Sequence, residues 1–253
     1  WPKEIYDQAI EMQLHMMDVP EEYGGLGLDH MDQAAIVEQI AWADAGVAVT
    51  LNGNGLALKP VLLAGNEEQK KKCCDIIING GFGSFALTEP NAGCDAGKTT
   101  AVREGDEYVL NGRKCFITNA SVADFFVVTA MTAKDQGTKG ISAFLVYKGT
   151  PGLSVGNHEN KMGIRCSTTS DVLLEDVRIP AENRLGEEGT GFITAMKTLD
   201  LARTWCAVIG VGVAQRCIDE AVAYSKQRVQ FGKPICKNQA IQFKIADMEI
   251  RTE

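Results

Sequence analysis

The sequence is short of the residues that usually hold metal ions or nucleic acids. Only three of its 253 residues are histidines, and 25 lysines and arginines face 33 aspartates and glutamates, so the net charge is −8. Nucleic acid binding needs a basic face, and this balance argues against it. No pair among the eight cysteines has C-x-x-C spacing, and the histidines lie far apart. A metal site is therefore not expected.

Common catalytic and targeting motifs are also missing. There is no G-x-G-x-x-G after a strand, no P-loop, no H-E-x-x-H and no G-x-S-x-G, which disfavours a Rossmann dinucleotide site and the corresponding hydrolases. The first residues, WPKEIYDQ, carry charge where a signal peptide is apolar. The longest uncharged apolar stretch of the C-terminal third, residues 204–215, is too short to cross a bilayer, so no membrane span is expected.

What is present predicts helices, then a sheet, then helices. The first 80 residues are helical in pattern, with an apolar stripe at Ile5, Ala9, Met12 and Met16 and a helix start at Asn66. Short β-branched and aromatic runs separated by turn residues follow between residues 82 and about 180, and predict an antiparallel sheet or barrel. Helical patterns return at residues 191–227 and 237–251. The fold class expected is α+β.

Two local features could carry chemistry. The loop TEPNAGCDA, residues 88–96, packs Pro, Gly, Asn and two acids into nine residues after a strand; it is either a plain connection or a functional loop. Arg203 sits in an otherwise apolar helix, as a solvated charge or as a group paired to a carboxylate or a ligand. Arg228 at the end of that helix is also explained by the helix dipole.

Six segments, in this order along the chain, resemble the acyl-CoA dehydrogenase family. They are PEEYGGLGLDH (20–30), FALTEPNAGCDA (85–96), NGRKCFITNA (111–120), KMGIRCSTTSDVLLEDVRIP (161–180), LDLAR (199–203) and RVQFGKPI (228–235). The resemblance covers nearly the whole chain. It implies an acyl-CoA dehydrogenase-like fold with an N-terminal helical domain (1–81), a middle β domain (82–185) and the start of a C-terminal helical bundle (186–253).

The resemblance also implies an activity. The family uses FAD to desaturate an acyl-CoA thioester to the trans-2-enoyl-CoA, with hydride transfer to flavin N5 and electrons passed to an electron-transfer flavoprotein. The flavin performs the redox step, and the protein supplies position and electrostatics. A homotetramer located in a bacterial cytoplasm or a mitochondrial matrix is expected by the same resemblance.

The family's site residues are carried over position by position. The expected FAD-binding residues are Phe85, Leu87, Thr88, Cys94, Phe116, Ile117, Thr118, Arg228, Gln230, Phe231, Asn238 and Gln239. The expected acyl-CoA contacts are Cys94, Ser167, Leu199, Asp200 and Arg203. Arg228, Gln230 and Phe231 match positions that reach the FAD of a neighbouring subunit, and Asn238 and Gln239 match positions near its adenine part.

The chain departs from the family pattern at two positions. Cys94 replaces the usual Ser of the flavin loop, and a thiol is a weaker hydrogen-bond donor. Ala202 stands where a minority of the family has the catalytic Glu. The base is therefore expected beyond Glu253, where most members have it, in a partial chain whose first helix is also missing.

Two alternatives stay open at this point. An acyl-CoA oxidase of the same fold would let oxygen reach the reduced flavin. A non-catalytic flavin- or CoA-binding scaffold or assembly protein would lack the base altogether. A Glu at the family position in the complete gene favours the enzyme, and its replacement favours the scaffold.

Overall fold

The computed structural model describes residues 1–93 and 97–253. Within them the chain forms six α-helices and ten β-strands, in the predicted order of helices, sheet and helices. The helices are α1 (Lys3–Glu11), α2 (His30–Ala43), α3 (Ala45–Ala64), α4 (Glu67–Ile78), α5 (Gly191–Gln227) and α6 (Gln239–Thr252). The strands are β1 (Gly83–Ala86), β2 (Thr100–Glu104), β3 (Glu107–Thr118), β4 (Phe125–Met131), β5 (Ile141–Tyr147), β6 (Leu153–His158), β7 (Thr169–Pro180), β8 (Arg184–Leu185), β9 (Val229–Gln230) and β10 (Lys233–Pro234).

Local signals set the start of α4 as the sequence predicts. Asn66 Oδ1 accepts from the backbone N–H of Gln69 at 2.9 Å, and the Asn66 N–H donates to Gln69 Oε1 at 2.8 Å. This reciprocal capping box satisfies two backbone donors at once. The predicted cap at Asn66 is confirmed.

The apolar stripe predicted on α1 is confirmed at two of its four residues. Ala9 and Met16 are buried, but Ile5 and Met12 are exposed. The helix ends at Glu11 and gives way to a left-handed residue and a 3₁₀ turn, which breaks the helical period. Tyr6 takes the core position instead, and its hydroxyl donates to Thr50 Oγ1 at 2.9 Å.

Strands β1 to β8 form one sheet in the order β6-β7-β3-β2-β4-β5-β8, with β1 paired to β4. Most neighbours are antiparallel, as predicted. The exceptions are β1 with β4 and a single pair between β2 and β4, both of which run parallel. A parallel pair needs a long connection, which residues 87–124 supply through the β2–β3 hairpin.

The helices α3 and α4 cover one side of this sheet. Leu58 and Val61 of α3, Cys73 of α4, and Phe125 and Val127 of β4 share one apolar cluster. Among the described residues, α3 is the one helix long and apolar enough to cross a membrane, but 61% of its apolar window is buried inside the fold. Its composition is explained by its place in this core.

The long helix α5 crosses α2 at a glycine. A Cβ on Gly212 would lie 2.4 Å from the Glu38 carbonyl oxygen and 2.9 Å from Ala41 Cβ. Close packing of two helices therefore depends on the missing side chain here. Two residues earlier on the same helix, a Cβ on Gly210 would meet nothing within 4 Å.

These two glycines give a matched pair of substitutions with opposite expected signs. Gly212→Ala should lower the free energy of unfolding by about 1–3 kcal/mol, because it overpacks the crossing. Gly210→Ala should raise it by up to about 1 kcal/mol, because alanine has the higher helix propensity. Urea unfolding followed by circular dichroism measures both, and equal effects would contradict the packing at Gly212.

Candidate active site

A cleft of about 190 Å³ opens between the sheet and two helices. Its lining brings together segments that are far apart in the sequence: α3, the exit of β1, the end of β3, and α5. The lining residues are Gly53, Leu56, Phe85, Leu87, Thr88, Phe116, Ile117, Thr118 and Leu199. Seven of these nine carry an expected role in binding FAD or acyl-CoA.

Strand β1 brings Phe85, Leu87 and Thr88 to this cleft. It lies between β4 and α3, so closely that a Cβ on Gly83 would be 2.5 Å from the Phe125 ring and 2.7 Å from Ala57 Cβ. The Gly83 N–H also donates to Asn54 Oδ1 of α3 at 3.0 Å. The strand is thus fixed on both sides before the chain turns into the 88–98 loop.

An irregularity in β3 presents Phe116. The pairing of β3 with β7 shifts between Lys114 and Ile117, which places one extra residue on β3. Lys114 and Ile117 are both buried, whereas Phe116 is 65% exposed and has a left-handed φ of 58°. A bulky side chain rarely adopts this conformation. The bulge therefore turns an apolar ring into the cleft.

Asn119 connects the end of β3 to α3. Its side-chain amide donates to the Thr50 carbonyl at 2.9 Å, and a Cβ on Gly53 would lie 2.4 Å from that amide nitrogen. Asn119 is fully buried and also left-handed, with a φ of 63°. This contact requires glycine at position 53 and keeps the helix wall of the cleft next to Thr118.

Below the cleft lies an ion pair that the sequence analysis does not find. Lys114 Nζ is 2.9 Å from Glu89 Oε1, with side chains 0% and 1% exposed. Burial would raise the pKa of Glu89, but the Lys114 ammonium and the hydrogen bonds from Thr99 lower it to about 2. Burial lowers the pKa of Lys114 to about 8, although Glu89 opposes this shift. Both groups are charged at neutral pH.

The acids near the cleft are engaged elsewhere. Glu89 is held by Lys114, and Asp200 lies 2.6 Å from the Arg203 guanidinium on the surface of α5. The described residues that line the cleft include no carboxylate. Among those residues, no group is placed to act as a free base.

Arg203 itself is exposed on α5, with 72% of its side chain accessible, and it does not line the cleft. Leu199, one turn earlier, does line it. Arg203 therefore lies one turn beyond Leu199 on the same side of α5, and Asp200 is paired with it.

Ser167 lines a different, polar cleft of about 270 Å³. Its hydroxyl is buried and has no hydrogen-bond partner within the described part of the chain. Lys161 and Arg165 line the same cleft, and Lys161 Nζ donates to the Ser167 carbonyl at 2.7 Å. Glu159 lines it too, so the cleft carries charges of both signs.

The remaining expected FAD residues lie away from both clefts. Arg228, Gln230 and Phe231 stand at the end of α5 and in the β9–β10 hairpin, and Asn238 and Gln239 begin α6. Phe231 and Gly232 have φ of 51° and 75°, as a two-residue hairpin turn requires. The Phe231 ring is 97% exposed at this tip. Cys94 lies outside the described residues.

Three family models match the chain. The N-terminal, middle and C-terminal domain models of acyl-CoA dehydrogenase match residues 1–81, 84–177 and 189–253.

Relatives and solved structures agree with them. The chain is 48% identical to the caffeyl-CoA reductase–Etf complex subunit CarC of Acetobacterium woodii, covering 100% of this chain and 68% of that protein. The structure of butyryl-CoA dehydrogenase from Megasphaera elsdenii matches with a TM-score of 0.95 at 44% identity, covering 100% of this chain and 68% of that one. An acyl-CoA dehydrogenase from Bacillus anthracis complexed with FAD matches with a TM-score of 0.90 at 42% identity, covering 98% of this chain and 43% of that one.

The chain spans about two thirds of the length of the first two proteins, and the three family models follow one another along it in the family's order. On these matches, the chain belongs to the acyl-CoA dehydrogenase family, whose members are FAD-dependent oxidoreductases.

Proposed function

We propose that this chain binds FAD in the cleft between Thr88 and Phe116 and serves the α,β-desaturation of an acyl-CoA thioester. The observation that carries the proposal is the convergence of three separate segments on one cleft, with Leu87, Ile117 and Leu199 in its lining. The domains proposed are residues 1–81, 82–185 and 186–253.

The residues present fit a flavin. The cleft is walled by apolar side chains and by an exposed ring on Phe116. Thr88 and Thr118 add half-buried hydroxyl and backbone groups at its edge. Phe85, Leu87, Thr88 and residues 116–118 would hold the ring system, and FAD when bound supplies the hydride acceptor.

The protein's own part in the reaction is binding and positioning. The apolar walls exclude water from the reacting carbons, which strengthens every charge interaction there. Asp200 and Arg203 are proposed to meet the acyl-CoA at the opening, and Ser167 with the polar cleft to meet its CoA portion. The proton next to the thioester must leave to a carboxylate, which we propose lies beyond Glu253.

The proposed partners and location follow from the relatives. The Acetobacterium woodii protein is named as part of an Etf complex, which supports an electron-transfer flavoprotein as the electron acceptor. That name also specifies a reductase, so both reaction directions should be assayed. We propose a bacterial cytoplasm or a mitochondrial matrix as the compartment.

A homotetramer is proposed because Arg228, Gln230 and Phe231 match family positions that reach the FAD of a neighbouring subunit. The Phe231 ring is 97% exposed and so is accessible to such a subunit. Sedimentation velocity of the full-length protein tests it, and a monomer that retains FAD would contradict the proposed cross-subunit contacts of Arg228, Gln230 and Phe231.

The first test concerns FAD. The full-length protein should purify yellow, with one FAD per subunit. Phe116→Ala should raise the FAD dissociation constant about five- to tenfold, because an aromatic stacking contact is lost. The free energy of unfolding should barely change, since the ring is exposed. Met31→Ala, which removes a 77% exposed side chain on α2, is the control and should leave FAD binding as it is.

Arg203 separates a substrate contact from a surface charge. Its ion pair with Asp200 is exposed, so Arg203→Ala should change the free energy of unfolding by less than about 1 kcal/mol. If Arg203 binds acyl-CoA, kcat/KM should fall about ten- to a hundredfold. Arg216→Ala, which breaks a pair with Glu220 on the same helix and a cation–π contact with Trp42, should leave kcat/KM unchanged.

The location of the base is tested by flavin bleaching. The full-length protein should bleach when it is mixed with a saturated acyl-CoA from a panel of chain lengths. Residues 1–253 alone should not, since losing a positioned base removes a factor of about 10²–10⁴ in rate. Rapid bleaching by this segment would show that an acid within it, such as Glu89, Asp95 or Asp200, takes the proton.

A further inference from the structure

The buried pair of Lys114 and Glu89 has no role in the chemistry proposed above. Its side chains are 0% and 1% exposed, far less than those of any surface pair of this chain, such as Arg178 with Glu104. Removing two charges from water is unfavourable, and apolar residues of similar size often serve stability as well. A buried pair in this position therefore suggests a requirement other than stability.

Every donor of the ammonium is used. Lys114 Nζ donates to the Leu87 carbonyl at 3.0 Å, to Glu89 Oε1 at 2.9 Å and to Thr129 Oγ1 at 3.2 Å. One side chain of β3 thus connects the exit of β1, the first acid of the following loop and strand β4.

Both oxygens of the carboxylate are also used. Glu89 Oε2 accepts from the backbone N–H of Lys98 at 2.8 Å, and Oε1 accepts from that of Thr99 at 2.9 Å. Glu89 therefore joins the start of the 88–98 loop to its end. Among the described residues, one carboxylate thus holds residues 98 and 99 next to the residues that follow β1.

Thr88 lies between the two residues that the ammonium holds. Its own carbonyl accepts from the Cys115 N–H at 2.9 Å. Three consecutive residues, 87 to 89, are thereby fixed to adjacent positions of β3, while Leu87 and Thr88 still line the cleft.

We propose that Lys114 and Glu89 are positioning residues, which hold Leu87 and Thr88 in the geometry that binds the flavin ring and close the base of the 88–98 loop. This inference rests on the proposed function, because it takes the cleft to be the FAD site. The ionised state of both groups at neutral pH agrees with this role.

The central variant is Glu89→Gln in the full-length protein, since it removes the charge and keeps the shape. The control is Asp18→Asn, which weakens the pair of Asp18 with Lys59, at 3.2 Å and with side chains 7% and 14% exposed. This control pair is also largely buried, but neither residue lines the cleft. The measurements are FAD titration of the apoprotein, urea unfolding, and hydrogen exchange at the amides of Lys98 and Thr99.

Glu89→Gln should raise the FAD dissociation constant about ten- to a hundredfold, because hydrogen bonds to a charged group are lost. It should also speed exchange at the Lys98 and Thr99 amides. Asp18→Asn should lower stability but leave the FAD dissociation constant within about twofold. If both variants lost FAD binding equally, the loss would reflect a general decrease in stability, and the proposal would be overturned.

A double-mutant cycle tests whether Glu89 acts through Thr88. In a Thr88→Val background, Glu89→Gln should weaken FAD binding less than it does in the wild type, since the Thr88 hydroxyl, one of the groups that it positions, is gone. Full additivity would overturn the inference. If Glu89→Gln fails to fold, Glu89→Asp can be used instead, because it keeps the charge on a shorter side chain. It should weaken FAD binding and speed amide exchange in the same way, by smaller amounts.

The outcomes separate the two proposals. A wild-type apoprotein that takes up no FAD would overturn the proposed function. A wild-type protein that binds FAD, with Glu89→Gln binding it equally well, would overturn the positioning role alone.

Discussion

The extra residue in β3 between Lys114 and Ile117 determines most of what surrounds the cleft. In a regular strand, side chains three residues apart point to opposite faces, yet Lys114 and Ile117 are both buried. The bulge resolves this by letting Phe116 turn outward at a left-handed φ. The irregularity therefore allows Ile117 to be buried as well as Lys114, and it presents an aromatic ring to the cleft.

The wall of the cleft formed by α3 and β1 depends on close packing of backbone and side chains rather than on charge. Asn119 bonds to the Thr50 carbonyl, and Gly53 leaves room for its amide. Gly83 allows β1 to lie against Phe125 and Ala57. Rigid helices and strands thus carry the cleft-lining residues of all four segments, which is how binding groups on loops and strand ends become pre-positioned.

Sequence patterns predicted the elements whose signals are local. The cap at Asn66 and the helix over residues 191–227 are found where they were expected. The helical spacing of apolar residues predicted burial of Ile5 and Met12, which are exposed. The helix α1 ends after nine residues, and the 3₁₀ turn that follows changes the direction of the later side chains. The parallel pairing of β1 with β4 was also missed, since strand direction depends on a connection of nearly 40 residues rather than on the strand itself.

The candidate site shows the same division. Residues in the quoted motifs could be named one by one from resemblance, whereas the partner of Lys114 lies 25 residues away in another motif. The structure shows Leu110 and Lys114 on the same face of the single strand β3, which places a lysine in the core. Sequence alone could not identify which acid meets it.

The ion pair also limits which group can carry out the proton transfer. A general base works best when its pKa lies near the working pH, and the Lys114 ammonium together with the Thr99 hydrogen bonds lowers the pKa of Glu89 to about 2. Glu89 Oε1 accepts two hydrogen bonds and Oε2 accepts one, and all three favour the ionised carboxylate. The same contacts that make Glu89 a good anchor for the loop make it a poor base. The carboxylate nearest to Thr88 in sequence is thus engaged in structural contacts, which agrees with the proposal that another acid takes the proton.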